Sequence, residues 1–141
     1  MTKRLMLAAA CLLAVACHRL PKNFASLSTN RKIEVYSQYL VRGGLPNRQA
    51  RALIASDCPR AAELLSVELA EPHHKLDVRE TLVILNMMQA DGCDLQRTPA
   101  DPALQAFLRT AAPGSADRAI AENTLSAMRA GYHARHASTP Q

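Results

Sequence analysis

The run Asp77-Val78-Arg79-Glu80-Thr81-Leu82-Val83-Ile84-Leu85-Asn86-Met87-Met88-Gln89-Ala90-Asp91 decides the fold. Its opening resembles a capping box with an Asp cap, Asp77 accepting from the backbone while Glu80 reaches back, which starts a helix at about Val78. In its middle, Leu82-Val83-Ile84-Leu85 and Met87-Met88 leave only Asn86 polar. A helix that is apolar nearly all round belongs at the centre of a core. Asn86 is then expected to hydrogen-bond a neighbouring helix, as buried polar groups do.

Working outward, the same helical text surrounds this segment, and almost no run alternates apolar with polar residues as a half-buried strand would. Six helices separate at their punctuation. The first, at about 31–42, sets Ile33, Tyr36 and Leu40 at helical spacing and stops at Gly43-Gly44. The second, at about 48–56, is capped by Asn47 and buries Ala50, Leu53 and Ile54. Pro59 opens the third in its first turn, where a missing N–H costs nothing; this helix carries Ala61, Leu64, Leu65 and Leu69 and ends before Pro72. The quoted run is the fourth. A fifth follows Asp101-Pro102, turns Leu104, Phe107, Leu108 and Ala111 inward, and stops at Pro113-Gly114. A sixth starts at a Ser115 cap, carries Ile120, Ala121, Leu125 and Met128, and is expected to end at Gly131.

The fold class is therefore all-α, with about six helices in three antiparallel pairs. Asp77, Leu85, Met88 and Ala90 recur forty residues later as Asp117, Leu125, Met128 and Ala130. Helix pairs at this period resemble HEAT-type repeats, whose second helix often begins Asp-x-Arg, as Asp77-Val78-Arg79 does and Asp117-Arg118 does not. The resemblance implies a short α-solenoid; a compact helical bundle would leave the same pattern. A second spacing favours stacked pairs. Ala55 and Cys58 follow the second helix, and thirty-five residues on Ala90 and Cys93 follow the fourth. Equivalent helices in a stack end side by side, which brings the two thiols to neighbouring tips. The competing reading makes Cys58 a reactive thiol at a helix N-terminus, where the dipole lowers thiol pKa.

The first residues speak about address. Lys3 and Arg4 precede an apolar run from Leu5 to Ala16 that ends in small residues, the grammar of a secretory signal. Crossing a hydrocarbon core takes about 20 apolar residues as helix, so the run is short for a membrane span. Ala14-Val15-Ala16-Cys17 resembles the lipobox of bacterial lipoproteins, with Ala14 where that family prefers Leu. The resemblance implies cleavage before Cys17, a diacylglycerol on its thiol, and an acylated amine. Since His18, and not Asp, follows the cysteine, it also implies the outer membrane of a Gram-negative envelope, with the protein on the periplasmic face. Ordinary cleavage after Ala16, giving a soluble periplasmic or secreted product, is the alternative. Cysteine parity bears on the choice: Cys11 leaves with the signal, and Cys17, Cys58 and Cys93 remain. Lipidation of Cys17 accounts for the odd thiol and leaves Cys58 and Cys93 for a disulfide, which an oxidising compartment permits. Each buried CH₂ contributes about 0.8 kcal/mol, so two or more acyl chains hold firmly.

The expected organisation is a signal at 1–16, a lipidated N-terminus and flexible linker at 17–30, one helical domain at 31–131 and a disordered tail at 132–141. Removing 16 of 141 residues leaves 125, enough for one domain with a core. Of seventeen Lys and Arg, Lys3 and Arg4 belong to the signal, and fifteen cations against twelve acids is too small a surplus to argue for nucleic acid. Arg19, Lys22, Arg31 and Lys32 cluster behind the anchor and read as a solvated basic tether or as a contact to anionic headgroups.

Enzyme signatures are missing: HExxH, GxSxG, the P-loop and the dinucleotide fingerprint all fail to match. Five Gly and no Trp leave neither a glycine-rich phosphate loop nor many stacking platforms. Glu34, Glu63 and Glu68 are conceivable acids of a hydrolase cleft, but no spacing singles them out. No catalysis and no cofactor are expected. The leading expectation is an envelope lipoprotein whose helical repeats bind a protein partner, as an adapter, assembly or immunity-type module. Arg48, Arg51, Arg79, Arg118 and Arg129, on the second helices of the pairs, would face an acidic partner. The rival is a small periplasmic metal-binding protein using His73 and His74 in a loop and His133 and His136 in the tail.

Overall fold

The computed structural model describes residues 19–71 and 75–137. Among them the chain is all-α: α1 (Thr29–Val41), α2 (Arg48–Ala55), α3 (Arg60–Ala70), α4 (Val78–Ala90), α5 (Ala100–Thr110) and α6 (Ala116–Ala137), with short 3₁₀ turns at Phe24–Ser26 and Leu95–Arg97. Short polar side chains start four of them. Ser28, Asn47, Asp77 and Ser115 accept from the amides of Arg31, Ala50, Arg79 and Arg118, satisfying donors the helix itself leaves open. Glycines stop two of them. Gly92, at φ 91°, follows α4, and its own amide and that of Cys93 turn back to the carbonyls of Gln89 and Met88, the paired bonds of a Schellman close. Gly43-Gly44 closes α1 in the same way onto Leu40 and Tyr39.

Three helix pairs stack in chain order. Helix α1 packs on α2 and α3, α2 on α3 and α4, α3 on α4 and α5, and α6 on α4 and α5. Odd-numbered helices thus form one layer and even-numbered helices the other, and each pair packs extensively on the next. The quoted segment sits where expected: Leu82, Ile84, Leu85 and Met88 are fully buried, with Tyr36, Ile54, Leu65, Leu104 and Met128 around them.

Three expectations are corrected. Glu80 does not reach back to close a capping box; Asp77 caps alone, and the Glu80 carboxylate turns to Arg51, whose fork offers a formal positive charge and two parallel bonds where the Asp77 amide would offer one. The segment before Arg31 is not all linker. Phe24 is buried in a 3₁₀ turn and α1 already begins at Thr29. Finally, α6 passes Gly131 and runs to Ala137. Gly131 is not among the positive-φ glycines, and helix-favouring Ala130 and Ala134 carry the turn across a residue that costs about 1 kcal/mol relative to Ala. The part of the expected tail at 138–141 lies outside the described residues. Among the described residues, no helix is long and apolar enough to cross a membrane.

Candidate functional site

Polar side chains join the even-numbered layer across its helices. Arg51 of α2 grips Glu80 of α4 with both ends of its fork, Nε to Oε2 at 2.8 Å and Nη2 to Oε1 at 2.5 Å. Tyr36 of α1 donates its hydroxyl to the same Oε2 at 3.0 Å and accepts the Asn47 amide at 3.0 Å. Burial is the main cause that pushes the Tyr36 phenol above its ordinary value, with the Glu80 charge adding to it. The hydrogen bond to Glu80 raises the Arg51 guanidinium further still. Further along, Arg79 of α4 meets Asp117 of α6 at 2.7 Å, and Asn86 Oδ1 accepts from Thr124 Oγ1 at 3.0 Å and Asn123 Nδ2 at 3.2 Å. Asn86 therefore does what its position predicted.

Of the five arginines expected to face a partner, three are engaged inside the chain. Arg51 and Arg79 are paired as above, and Arg118 donates to the Leu108 and Ala111 carbonyls at the end of α5 and to Glu122. Helices of one layer lie side by side, so arginines there meet the acids of the neighbouring helix before those of any visitor. Arg48 and Arg129 remain exposed on α2 and α6. Glu34 pairs with Arg31, Glu63 with Arg60, and Glu68 accepts the Lys75 and Leu76 amides, so each is tied locally.

Cys58 and Cys93 form a disulfide with Cα atoms 6.0 Å apart, at the ends of α2 and α4 as the thirty-five-residue spacing predicted. Beside it opens a cavity of about 460 Å³ lined by Ala52, Ala55, Met88 and Asp91. Cys17, His73 and His74 lie outside the described residues, while His133 and His136 fall in the last turns of α6. Among the described residues no group of His, Cys, Asp and Glu is arranged to hold a metal ion.

A third feature escaped the sequence reading. Lys32, grouped there with a solvated basic tether, is buried to 9% exposure. It lines an open cavity of about 430 Å³ where α1 and the turn before α3 meet, across from Asp57. The signal was available: Thr29, Lys32, Ile33 and Tyr36 occupy one stripe at helical spacing, and all four are buried. No family model matches the sequence, and no curated protein and no solved structure is significantly similar to it.

Proposed function

We propose that this chain is a lipid-anchored helical interaction module of a bacterial envelope, held through Cys17 at the outer membrane and binding a protein partner on the periplasmic side. The observation that carries the reading is the Cys58–Cys93 disulfide. It suits an oxidising compartment, and it leaves Cys17, directly after an export-like segment, as the one cysteine of the expected mature chain without a partner. The stack of helix pairs supports the interaction role, since such stacks present long faces with little need for loops. Val41 and Leu45 at one tip, with exposures of 83% and 77%, and Val67 on α3 at 53% are large apolar side chains left for contact.

Intact-mass spectrometry of the membrane-fractionated protein, beside Cys17→Ser, tests the anchor. A mature start at Cys17 carrying acyl mass is expected, with Cys58 and Cys93 oxidised; a soluble product with an unmodified Cys17 overturns it. Photo-crosslinking from position 67 in intact cells tests the partner. One discrete adduct is expected, lost when the tip is changed by Leu45→Asp, and adducts no different from those formed from exposed position 105 refute the interaction role.

A further inference from the structure

Two opposite charges line one cavity without meeting. Lys32 is nine-tenths buried, yet among the described residues its ammonium has no hydrogen-bond or ion-pair partner. A lysine head carries three donors and no acceptor, and here the residue is buried along its stem while the ammonium itself stays open to solvent. The apolar stem packs into the α1 stripe while the head reaches the cavity. Asp57, on the same cavity, accepts the Thr29 hydroxyl through Oδ2, and its backbone carbonyl accepts the Ala61 amide; Oδ1 has no partner among the described residues. Arg60 also lines the cavity but is held by Glu63 at 2.9 Å. The start of α1 adds a third element. Ser28 takes the Arg31 amide, and the helix's own bonds leave the amides of Thr29 and Asn30 open at the positive end of its dipole.

We propose that this cavity binds a small zwitterion: a phosphate ester received by Lys32 and the first amides of α1, bearing a primary ammonium received by Asp57. Phosphate suits the donor side better than carboxylate because several donors converge there and phosphate offers more oxygens to meet them. A primary ammonium suits Asp57 because its open oxygen accepts an N–H bond that a quaternary ammonium cannot give. Ethanolamine phosphate is the simplest molecule of this class, and it occurs free or as the headgroup of a bilayer lipid. The proposal stands apart from the anchor, since it uses only residues of α1 and the turn before α3.

The test is calorimetric titration of the full chain in a Cys17→Ser background, so that no acyl chain contributes, with O-phosphoethanolamine as probe. Saturable binding is expected, at least tenfold weaker for inorganic phosphate or ethanolamine alone. Lys32→Met keeps the buried stem and Asp57→Asn keeps an acceptor for Thr29; each is expected to weaken binding tenfold or more. Thermal melts run alongside check the fold, and if Lys32→Met melts early, Asp57→Asn decides. Vesicles of phosphatidylethanolamine that displace the probe, where phosphatidylcholine vesicles do not, assign the ligand to the bilayer; failure to displace assigns it to a soluble ester. Absence of saturable binding, equal affinity for inorganic phosphate, or binding unchanged in a folded variant overturns the proposal.

Discussion

Replacing both Cys58 and Cys93 by Ala isolates what the disulfide does for stability. The bridge spans 35 residues. On the chain-entropy relation, releasing a loop of that length from the unfolded chain costs the native state about 3.8 kcal/mol at room temperature. Packing losses are smaller than this, because Cys58 is exposed and at buried Cys93 Ala keeps the Cβ and removes only the sulfur. With an unfolding entropy of roughly 2.1 cal/mol/K per residue, the same free energy lowers Tm by about 15 °C for a domain of this size. The assay is urea unfolding followed by circular dichroism, with the m value fitted as well as the midpoint. Because the effect acts on the unfolded ensemble, m should rise as a freed loop exposes more surface. A loss below about 1 kcal/mol with unchanged m would refute the argument, since it would mean that the tips of α2 and α4 are held together equally well in the unfolded chain or not strained apart by its entropy.

Arg51→Met should destabilise by about 2–4 kcal/mol, as the nearly buried Glu80 loses its counter-charge, with the one-fifth exposure of Arg51 placing the value below that of a fully buried pair; adding Glu80→Leu should recover most of the loss, and additive losses in urea melts would contradict this. Tyr36 has its phenol pKa raised in the folded state above the 10.0 of a free phenol, mainly by burial, so the unfolded chain releases that proton first. Its contribution is complete below about pH 10 and is lost as pH rises through the folded value; Tyr36→Phe should therefore show a shallower alkaline decline in Tm than the parent, and parallel profiles would contradict the assignment. Gly131→Ala should raise stability by up to about 1 kcal/mol, because α6 continues through this position; a drop in Tm would mean that Gly131 ends the helix in a left-handed turn.

What was legible in the sequence follows from the range of the signals. Helix starts at Asn47, Asp77 and Ser115 depend on side chains bonding within three residues of themselves, so local text suffices. The Cys58–Cys93 pair depended on a repeat period, which carries long-range information because equivalent helices end together. The Arg51–Glu80 pair had no such cue: the residues are 29 apart, and Glu80 stands at the capping-box position after Asp77, so the local reading took precedence over a partner visible only after packing. Lys32 runs against its local cues for the opposite reason. Its charge and its neighbours Arg31 and Lys22 suggested a solvated tether, while its helical register with Tyr36 and Thr29 placed its stem inside. The end of α6 is not legible locally, because a glycine is a stop only where the chain turns left-handed, and composition does not distinguish Gly131 from Gly92.

Phe24 sets the reach of the proposed tether. A free linker of thirteen residues could extend roughly 45 Å at about 3.5 Å each, far enough for a partner well above the membrane. Phe24, however, is buried, and Leu20 packs against the core beside Ala50 and Leu53. Only three peptide steps then separate an acylated Cys17 from the folded body, a span of about 11 Å at full extension. The module would ride against the headgroups as a plate rather than swing as a flag, with exposed Arg19 and Lys22 on its underside. A partner would meet it within about one domain's height of the bilayer, roughly 35 Å, and lengthening the chain between Cys17 and Leu20 would raise that height without touching a residue of the fold.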